Sequence, residues 1–121
     1  MNVVFMDEAL AFVRSLDVEA RQKITYNYKK VERGIRDDKL FKKLQGSDIW
    51  ELRTLCKGKL YRLFSFWDNE QDALIVVSHG IVKKSQKTPL KEIKKAEMAK
   101  RRYFEQKHGT EVNKANEGAN E

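Results

Sequence analysis

The sequence predicts an α+β fold in which two N-terminal helices pack on a small, twisted, mainly antiparallel sheet and a basic C-terminal helix closes the chain. Three observations predict it. Apolar residues recur at steps of three and four between residues 9 and 35, a period of two follows at 49–56, and residues 59–67 are rich in aromatic side chains. A Thr-Pro step at residues 88 and 89 then opens a charged helical segment. These features are typical of amphipathic helices, of strands and of a helix start.

The N-terminal part of the chain predicts a short strand followed by two helices. The apolar segment at residues 2–5 precedes Asp7 and Glu8, whose negative charges suit the first turn of a helix. Gly34 suits the end of the second helix. The predicted apolar faces are Ala9, Phe12, Val13 and Leu16 in the first helix, and Ala20, Ile24, Tyr28, Val31 and Ile35 in the second.

The middle of the chain predicts a meander of three antiparallel strands. Residues 37–48 are mostly polar, which is consistent with a loop or one helical turn. The dipeptide "KG" lies between "IWELRTLC" (49–56) and an aromatic-rich segment at 59–67, and it is typical of a tight hairpin turn. Residues 72–79 are apolar on both faces, as in a covered central strand.

The last helix is predicted from its start signal. Thr88 is a good N-cap residue and Pro89 suits the first helical position. Apolar residues mark one side of this helix as far as His108. Because 121 residues suffice for one hydrophobic core, we assign residues 1–108 to a single domain. Residues 109–121 contain only one apolar side chain larger than alanine, so we assign them to a disordered polar tail.

The distribution of charge favours a polyanionic partner. The formal net charge is +7, and residues 83–107 alone contain ten basic and three acidic residues. Clustered Lys and Arg side chains release counterions when they bind phosphates, so nucleic acid is the first expectation, ahead of a membrane surface. The alternative is a basic helix that is simply solvated.

Several classes of protein and site find no support in the sequence. No run approaches the roughly 20 apolar residues of a membrane helix, and the N-terminus lacks the basic start of a secretory signal. We therefore expect a cytoplasmic protein with no membrane partner. The lone Cys56 lies in an apolar alternation and is expected to be a buried free thiol. Neither a metal nor a cofactor is expected, because no metal-ligand spacing or Gly-rich phosphate loop is present.

Four basic residues lie within or directly after the predicted strands, where a charged side chain calls for a structural or functional explanation. Arg53 and Arg62 fall inside strand patterns, and they become cross-strand neighbours if the hairpin closes at the "KG" turn. Two arginines so close need an anion, which could be Glu51, another side chain or a phosphate. Lys83 and Lys84 follow the third strand of the meander, either as part of a phosphate site or as solvated cations that protect a sheet edge.

A site built from cations is chemically suited to the cleavage of RNA. The 2′-hydroxyl must lose a proton and attack the adjacent phosphate, the phosphorane must be stabilised, and the 5′-oxygen must leave. Arginine forks fit the phosphorane, and a lysine near other cations can act as the base. His79 lacks the partners of a catalytic triad or a metal site, so we expect a hydrogen-bonded structural histidine.

The order of three motifs resembles the RelE/HigB superfamily of bacterial toxins. These motifs are "IWELR" (49–53), "YRLFSF" (61–66) and an apolar strand ending in "HGIVKKSQKTP" (79–89). The resemblance spans about residues 2–105 and is strongest to the HigB-like branch that includes phage-derived proteins. It implies a RelE/ParE-like fold and a toxin of a type II toxin-antitoxin pair, which cleaves mRNA in the ribosomal A site without a metal.

The resemblance also implies roles for individual residues. Arg53 and Arg62 match the arginines of the family's "ELR" and "YR" motifs and would hold the scissile phosphate. Lys83 and Lys84 match the lysines of its "F-x-K-K" turn, and one of the two, with Lys84 the first choice, would assist proton transfer. Ile81 replaces the phenylalanine that is frequent in this turn. The predicted RNA-binding residues of the basic helix are Lys87, Lys91, Lys94 and Lys95.

The expected partners are the ribosome, mRNA and a cognate antitoxin, a HigA-like helix-turn-helix protein. Two other functions remain open. One is a non-enzymatic ParE-like toxin that poisons DNA gyrase, although such toxins lack the arginine and lysine set. The other is an inactive prophage remnant that only binds nucleic acid.

Overall fold

The computed structural model describes residues 1–70, 74–83 and 87–119, except for the side chains of Lys83 and of residues 110–119. Eight elements of secondary structure lie within these ranges. In chain order they are β1 (Asn2–Phe5), α1 (Asp7–Ser15), α2 (Val18–Glu32), β2 (Phe41–Lys43), β3 (Trp50–Cys56), β4 (Lys59–Asp68), β5 (Leu74–Lys83) and α3 (Leu90–Ala119).

The strands form one sheet with the order β1-β5-β4-β3-β2. β1 pairs with β5 in parallel, and the other three pairings are antiparallel. β4 is therefore the central strand, and β3, β4 and β5 form the meander that the sequence predicts. The predicted α+β architecture is confirmed, and it is consistent with the RelE/ParE-like fold.

Helices cover both faces of this sheet. α1 and α2 pack on one face, where the buried side chains include Ala9, Ala20, Ile24, Val31, Leu52, Leu63, Ile75 and Val77. α3 packs on the opposite face through Ala96 and Ile93 against Ile49, Phe64, Phe66 and Val76. Because alternate residues of a strand share a face, Arg62 lies on the α3 side with Phe64 and Phe66.

The turn between β3 and β4 fixes the register of the hairpin. Lys57 and Gly58 have φ angles of 51° and 76°, the left-handed conformation that a two-residue hairpin loop of type I′ requires at both positions. Arg53 consequently pairs with Arg62, as the sequence predicts, and Glu51 pairs with Phe64.

An irregularity in β5 changes which residues face α3. Phe64 pairs with His79 and Ser65 pairs with Val77, so Ser78 is an extra residue on β5, as in a β-bulge. The bulge shifts the alternation of side chains by one position. His79 therefore falls on the same face as Phe64 and α3, and the Ser78 hydroxyl donates a hydrogen bond to the Phe64 carbonyl at 3.2 Å.

Three elements differ from the sequence-based expectation. The segment at 37–48 contains the short edge strand β2, which its polar composition concealed. α2 ends at Glu32, and Gly34, with a φ of 87°, then turns the chain, so Ile35 is exposed and not part of the apolar helix face. α3 begins at Leu90, two residues after the predicted cap.

The far end of α3 also differs from the expectation. The helix continues to Ala119, although the apolar pattern led us to end it near His108. Helical hydrogen bonding needs no apolar face once the preceding turns are formed, so an apolar pattern does not mark this end. The division of the chain into a domain at 1–108 and a polar tail stays a prediction.

The Gly80→Ala substitution tests the packing of α1 on the sheet. A Cβ atom at Gly80 would lie 2.5 Å from Phe12 Cδ2 of α1 and 2.6 Å from Leu63 Cδ2 of β4. We expect a loss of about 1–3 kcal/mol in the free energy of unfolding, measured by urea denaturation. Gly109→Ala, which meets nothing within 4 Å on α3, is the control and should not destabilise the protein. Equal stabilities of both variants and the wild type would contradict this packing.

Candidate functional site

The Glu51 carboxylate lies between the two paired arginines. Its Oε1 is 3.0 Å from Arg53 Nε and 3.7 Å from Arg62 Nε. The alternation of side chains places Glu51 and Arg53 on one face of β3, two residues apart, and the hairpin register places Arg62 opposite Arg53. Of the anions that the sequence left open, the structure places a side-chain carboxylate beside both arginines.

Thr88 closes this cluster from the segment that leads into α3. Its hydroxyl donates to Glu51 Oε2 at 2.7 Å and accepts from Arg62 Nη1 at 3.3 Å. The sequence assigned this hydroxyl to capping the helix, where it would accept from a backbone N–H, but in the structure it donates to a buried carboxylate and accepts from an arginine. We call Glu51, Arg53, Arg62 and Thr88 the arginine cluster.

The two arginines differ in their access to solvent. The side chain of Arg62 is 0% exposed, whereas that of Arg53 is 24% exposed and that of Glu51 is 3% exposed. Arg62 is thus fully enclosed, and Arg53 reaches the surface. An anion that arrives from solvent meets Arg53 first.

A polar groove of about 250 Å³ opens beside Arg53. It lies between the β2–β3 edge of the sheet and the start of α3. Its walls are Lys42, Lys43, Leu44, Gln45, Glu51, Arg53 and Thr88. Because the carboxylate of Glu51 is already engaged by the arginine cluster, the groove presents an excess of cations.

The structure brings together only some of the predicted catalytic residues. Arg53 and Arg62 are neighbours, while Lys83 is the last residue of β5, where it pairs with Leu60 of β4. Lys84 lies outside the described residues. Ile81, two positions before Lys83, pairs with Arg62, so the end of β5 runs along the strand that carries the second arginine.

The predicted RNA-binding lysines surround the start of α3. Lys87, Lys91, Lys94 and Lys95 are all exposed. Lys95 lies 2.5 Å from Glu8 of α1, whereas Lys91 and Lys94 have no carboxylate within 4 Å among the described residues. Lys91 and Lys94 therefore present their charges at the surface of the first turns of α3.

His79 connects β5 to α3 and does not face the groove. Its side chain is 2% exposed and stacks on Phe64 with ring centroids 4.9 Å apart. Its Nδ1 is 2.9 Å from Ser78 Oγ, and its Nε2 is 3.1 Å from Glu92 Oε2 of α3. Burial, reinforced by the charge of Lys95, lowers the pKa of His79 below its ordinary 6.5, although Glu92 acts in the opposite direction. The buried, hydrogen-bonded position agrees with the structural role expected for His79.

A second polar network anchors α3 further along. Asp68, at the end of β4, accepts hydrogen bonds from Tyr103 Oη at 2.6 Å and Lys107 Nζ at 2.9 Å. Burial opposes ionisation of Asp68, but these bonds and the Glu70 amide hold its pKa below the usual value. Burial and the Asp68 contact raise the pKa of Tyr103 to about 12. Tyr103 therefore serves the packing of α3 on the sheet.

The described part of the chain contains neither a metal-binding group of side chains nor a helix that could span a membrane. In residues 1–70, 74–83 and 87–119, no group of three or more His, Cys, Asp or Glu side chains is arranged to hold a metal ion. Within the same ranges, no helix combines the length and the apolar composition needed to cross a membrane.

Most of the chain, from α1 to the first turns of α3, matches the model of a known protein family. The model of the family described as phage-derived protein Gp49-like (DUF891) matches residues 11–101. The chain belongs to this family. The match includes β2 to β5, the arginine cluster and the first turns of α3. No curated protein matches the chain. Membership of the Gp49-like family, a HigB-like toxin family, indicates a toxin-like protein.

Sequence reasoning missed two parts of the site in this Gp49-like protein. It named Glu51 only as one possible anion, although the spacing in "WELR" already places Glu51 beside Arg53 on one face. It also did not single out Lys42 and Lys43, because β2 is three residues long and shows too little alternation to predict a strand.

The Glu51→Gln substitution tests the energetic role of the carboxylate. It removes the carboxylate next to the enclosed charge of Arg62, and breaking a buried ion pair in this way costs about 3–5 kcal/mol. We expect a loss of about 3 kcal/mol in the free energy of unfolding, measured by urea denaturation. Glu19→Gln is the matched control, because Glu19 pairs with Lys57 at the surface and should not change the unfolding midpoint measurably. Similar midpoints for both variants would argue against a buried pair.

The pH dependence of stability tests the environment of His79. Because the folded-state pKa of His79 lies below 6.5, the unfolded chain takes up a proton first as the pH falls. The wild type should lose stability relative to His79→Gln as the pH decreases below about 6.5, and the difference between them should be constant above that value. Thermal unfolding between pH 8 and 5 measures both. A wild type that gains stability relative to the variant on acidification would mean that Glu92 outweighs burial.

Proposed function

We propose that this Gp49-like protein is the toxin component of a type II toxin-antitoxin system and acts as a ribosome-dependent mRNA endonuclease. The observation that carries the proposal is the arginine cluster, which holds two cross-strand arginines beside a cationic groove in a chain that belongs to a toxin-like family. Paired arginines in a structured polar site are suited to a phosphate whose charge increases during the reaction.

The chemistry requires no more than acid-base groups and cations. A base removes the proton of the 2′-hydroxyl, the resulting oxygen attacks the adjacent phosphorus, and the bond to the 5′-oxygen breaks as that oxygen gains a proton. The products are a 2′,3′-cyclic phosphate and a 5′-hydroxyl. In our proposal Arg53 contacts the phosphorane from the groove, and the charge of the enclosed Arg62 stabilises the phosphorane electrostatically. Lys83 or Lys84 transfers the protons.

The remaining parts of the proposal concern partners. Lys87, Lys91, Lys94 and Lys95 would contact ribosomal RNA, because exposed lysines along a helix fit a phosphate backbone without reading its sequence. A cognate antitoxin, a HigA-like helix-turn-helix protein, would neutralise the toxin. Both partners imply action in the cytoplasm.

The Arg53→Gln substitution tests the nuclease. We expect induced expression of the wild type in bacteria to stop growth and to generate new mRNA 5′ ends, and we expect Arg53→Gln to reduce cleavage by about 100-fold or more, the scale of losing one preorganised donor to a developing oxyanion. Mapping of mRNA 5′ ends and growth curves provide the readouts. Arg53 is preferable to Arg62 for this purpose, since truncation of the enclosed Arg62 would also destabilise the fold.

The control is Arg14→Gln, which removes an exposed arginine from α1 on the opposite face of the sheet and should leave cleavage unchanged. Thermal unfolding of both variants separates loss of chemistry from loss of fold. Growth arrest with intact transcripts and broken DNA would replace the nuclease with a gyrase poison. Normal growth on expression of the folded wild type would contradict both toxin functions and favour an inactive protein that only binds nucleic acid.

A further inference from the structure

The edge strand β2 carries two lysines that no role considered so far requires. Lys42 and Lys43 are exposed, and neither has a carboxylate within 4 Å in the part of the chain that the structure describes. Lys42 pairs with Glu51 and Lys43 with Trp50 in the β2–β3 register. Both lysines line the groove into which Arg53 is exposed.

These lysines are carried by a rigid part of the fold. Phe41, directly before them, is buried and stacks on Trp50 with ring centroids 4.7 Å apart. Leu44, directly after them, is buried and its amide donates to the Ile49 carbonyl at 2.9 Å. The backbone between two such anchors is fixed, so the points from which the two lysine side chains extend are largely set before any ligand binds, while their flexible stems let the ammonium groups adjust to it.

The charge balance of the groove favours an anion. Its lining residues include three basic ones, Lys42, Lys43 and Arg53, of which Lys42 shares the face of Glu51 and Arg53 in the strand register, and a single acidic one, Glu51. That carboxylate is engaged by Arg53, Arg62 and Thr88 and is almost fully enclosed. A volume of about 250 Å³ is below the roughly 300–1,000 Å³ of pockets that enclose a drug-sized ligand, and it suits one backbone phosphate with part of its sugar.

We propose that Lys42 and Lys43 form a subsite for the sugar-phosphate backbone of single-stranded RNA, next to the phosphate that Arg53 would contact. The identity of the ligand as RNA rests on the proposed function, whereas the anionic character of the ligand rests on the groove itself. The two lysines bind and position the strand, and they take no part in bond cleavage. Sequence preference is not expected from them, because lysine contacts with phosphates carry no base information.

The salt dependence of RNA binding tests this subsite. The probe is a fluorescently labelled, single-stranded 2′-O-methyl RNA, which lacks the attacking hydroxyl and so reports binding apart from cleavage. For single strands, each phosphate contact contributes about 0.7 to the slope of log K against log salt concentration. We expect the double variant Lys42→Gln/Lys43→Gln to bind more weakly and to reduce the magnitude of that slope by about 0.7 if Lys42 alone contacts a phosphate and by about 1.4 if both lysines do.

Two further variants make the result specific. Lys23→Gln/Lys29→Gln removes the same charge from exposed positions of α2, on the opposite face of the sheet, and should retain the wild-type slope. Lys42→Arg/Lys43→Arg keeps both charges and should restore it. Thermal unfolding confirms that each variant is folded before binding is measured.

The outcomes distinguish this inference from the proposed nuclease. An unchanged slope in Lys42→Gln/Lys43→Gln, or an equal reduction in the α2 control, overturns the subsite even if the wild type cleaves mRNA in cells. A slope reduced only in the β2 variant supports the subsite even if no cleavage occurs, in which case the nuclease fails alone. A folded wild type that does not bind the RNA probe overturns the subsite.

Discussion

The Glu51 carboxylate is the constraint on which the site depends. Arg53 and Arg62 are paired across β3 and β4, where two like charges would repel, and Glu51 lies within 3.0 Å of one and 3.7 Å of the other. The carboxylate is itself almost fully enclosed, which would cost several kcal/mol without charged partners. Each member of the arginine cluster thus makes the burial of the others possible. These contacts form only in the observed hairpin register, in which Arg53 pairs with Arg62.

The docking of α3 depends on the same cluster and completes it. Thr88 bonds to Glu51 and Arg62 just before the helix begins, and Ala96, with 0% exposure, allows the helix to approach the sheet closely. Further along, Tyr103 and Lys107 hold the helix to Asp68. A helix that is exposed and basic on its outer side is in this way fixed at both ends of its contact with the sheet, which keeps its outer lysines in a constant position relative to the groove.

The sequence is sufficient to predict the hairpin and therefore the pairing of the arginines. A period of two in "IWELRTLC" and a two-residue turn leave one register, and the pairing of Arg53 with Arg62 follows from it. The burial of Arg62 could not be predicted in this way, because alternation identifies a face but not which helix covers it. The bulge at Ser78 was also inaccessible, since a continuous apolar run conceals the shift in alternation that turns His79 towards α3. β2 was missed because three residues are too few to show a period.

The difference in exposure between the two arginines suits the reaction that we propose. With Glu51 ionised, the arginine cluster carries a net charge of +1, so its buried charges are largely balanced while the groove remains attractive to an anion. A fully enclosed Arg62 acts at short range through a medium of lower polarity than water, where its effect on a phosphorane beside Arg53 is larger than that of a solvated lysine. Because the sheet, Glu51 and Thr88 already hold Arg62 in position, little reorganisation is needed when charge develops on the phosphate. In the proposed reaction an enclosed arginine and an exposed arginine would therefore contribute differently to one phosphate: the first would supply a fixed field, and the second would supply the contact.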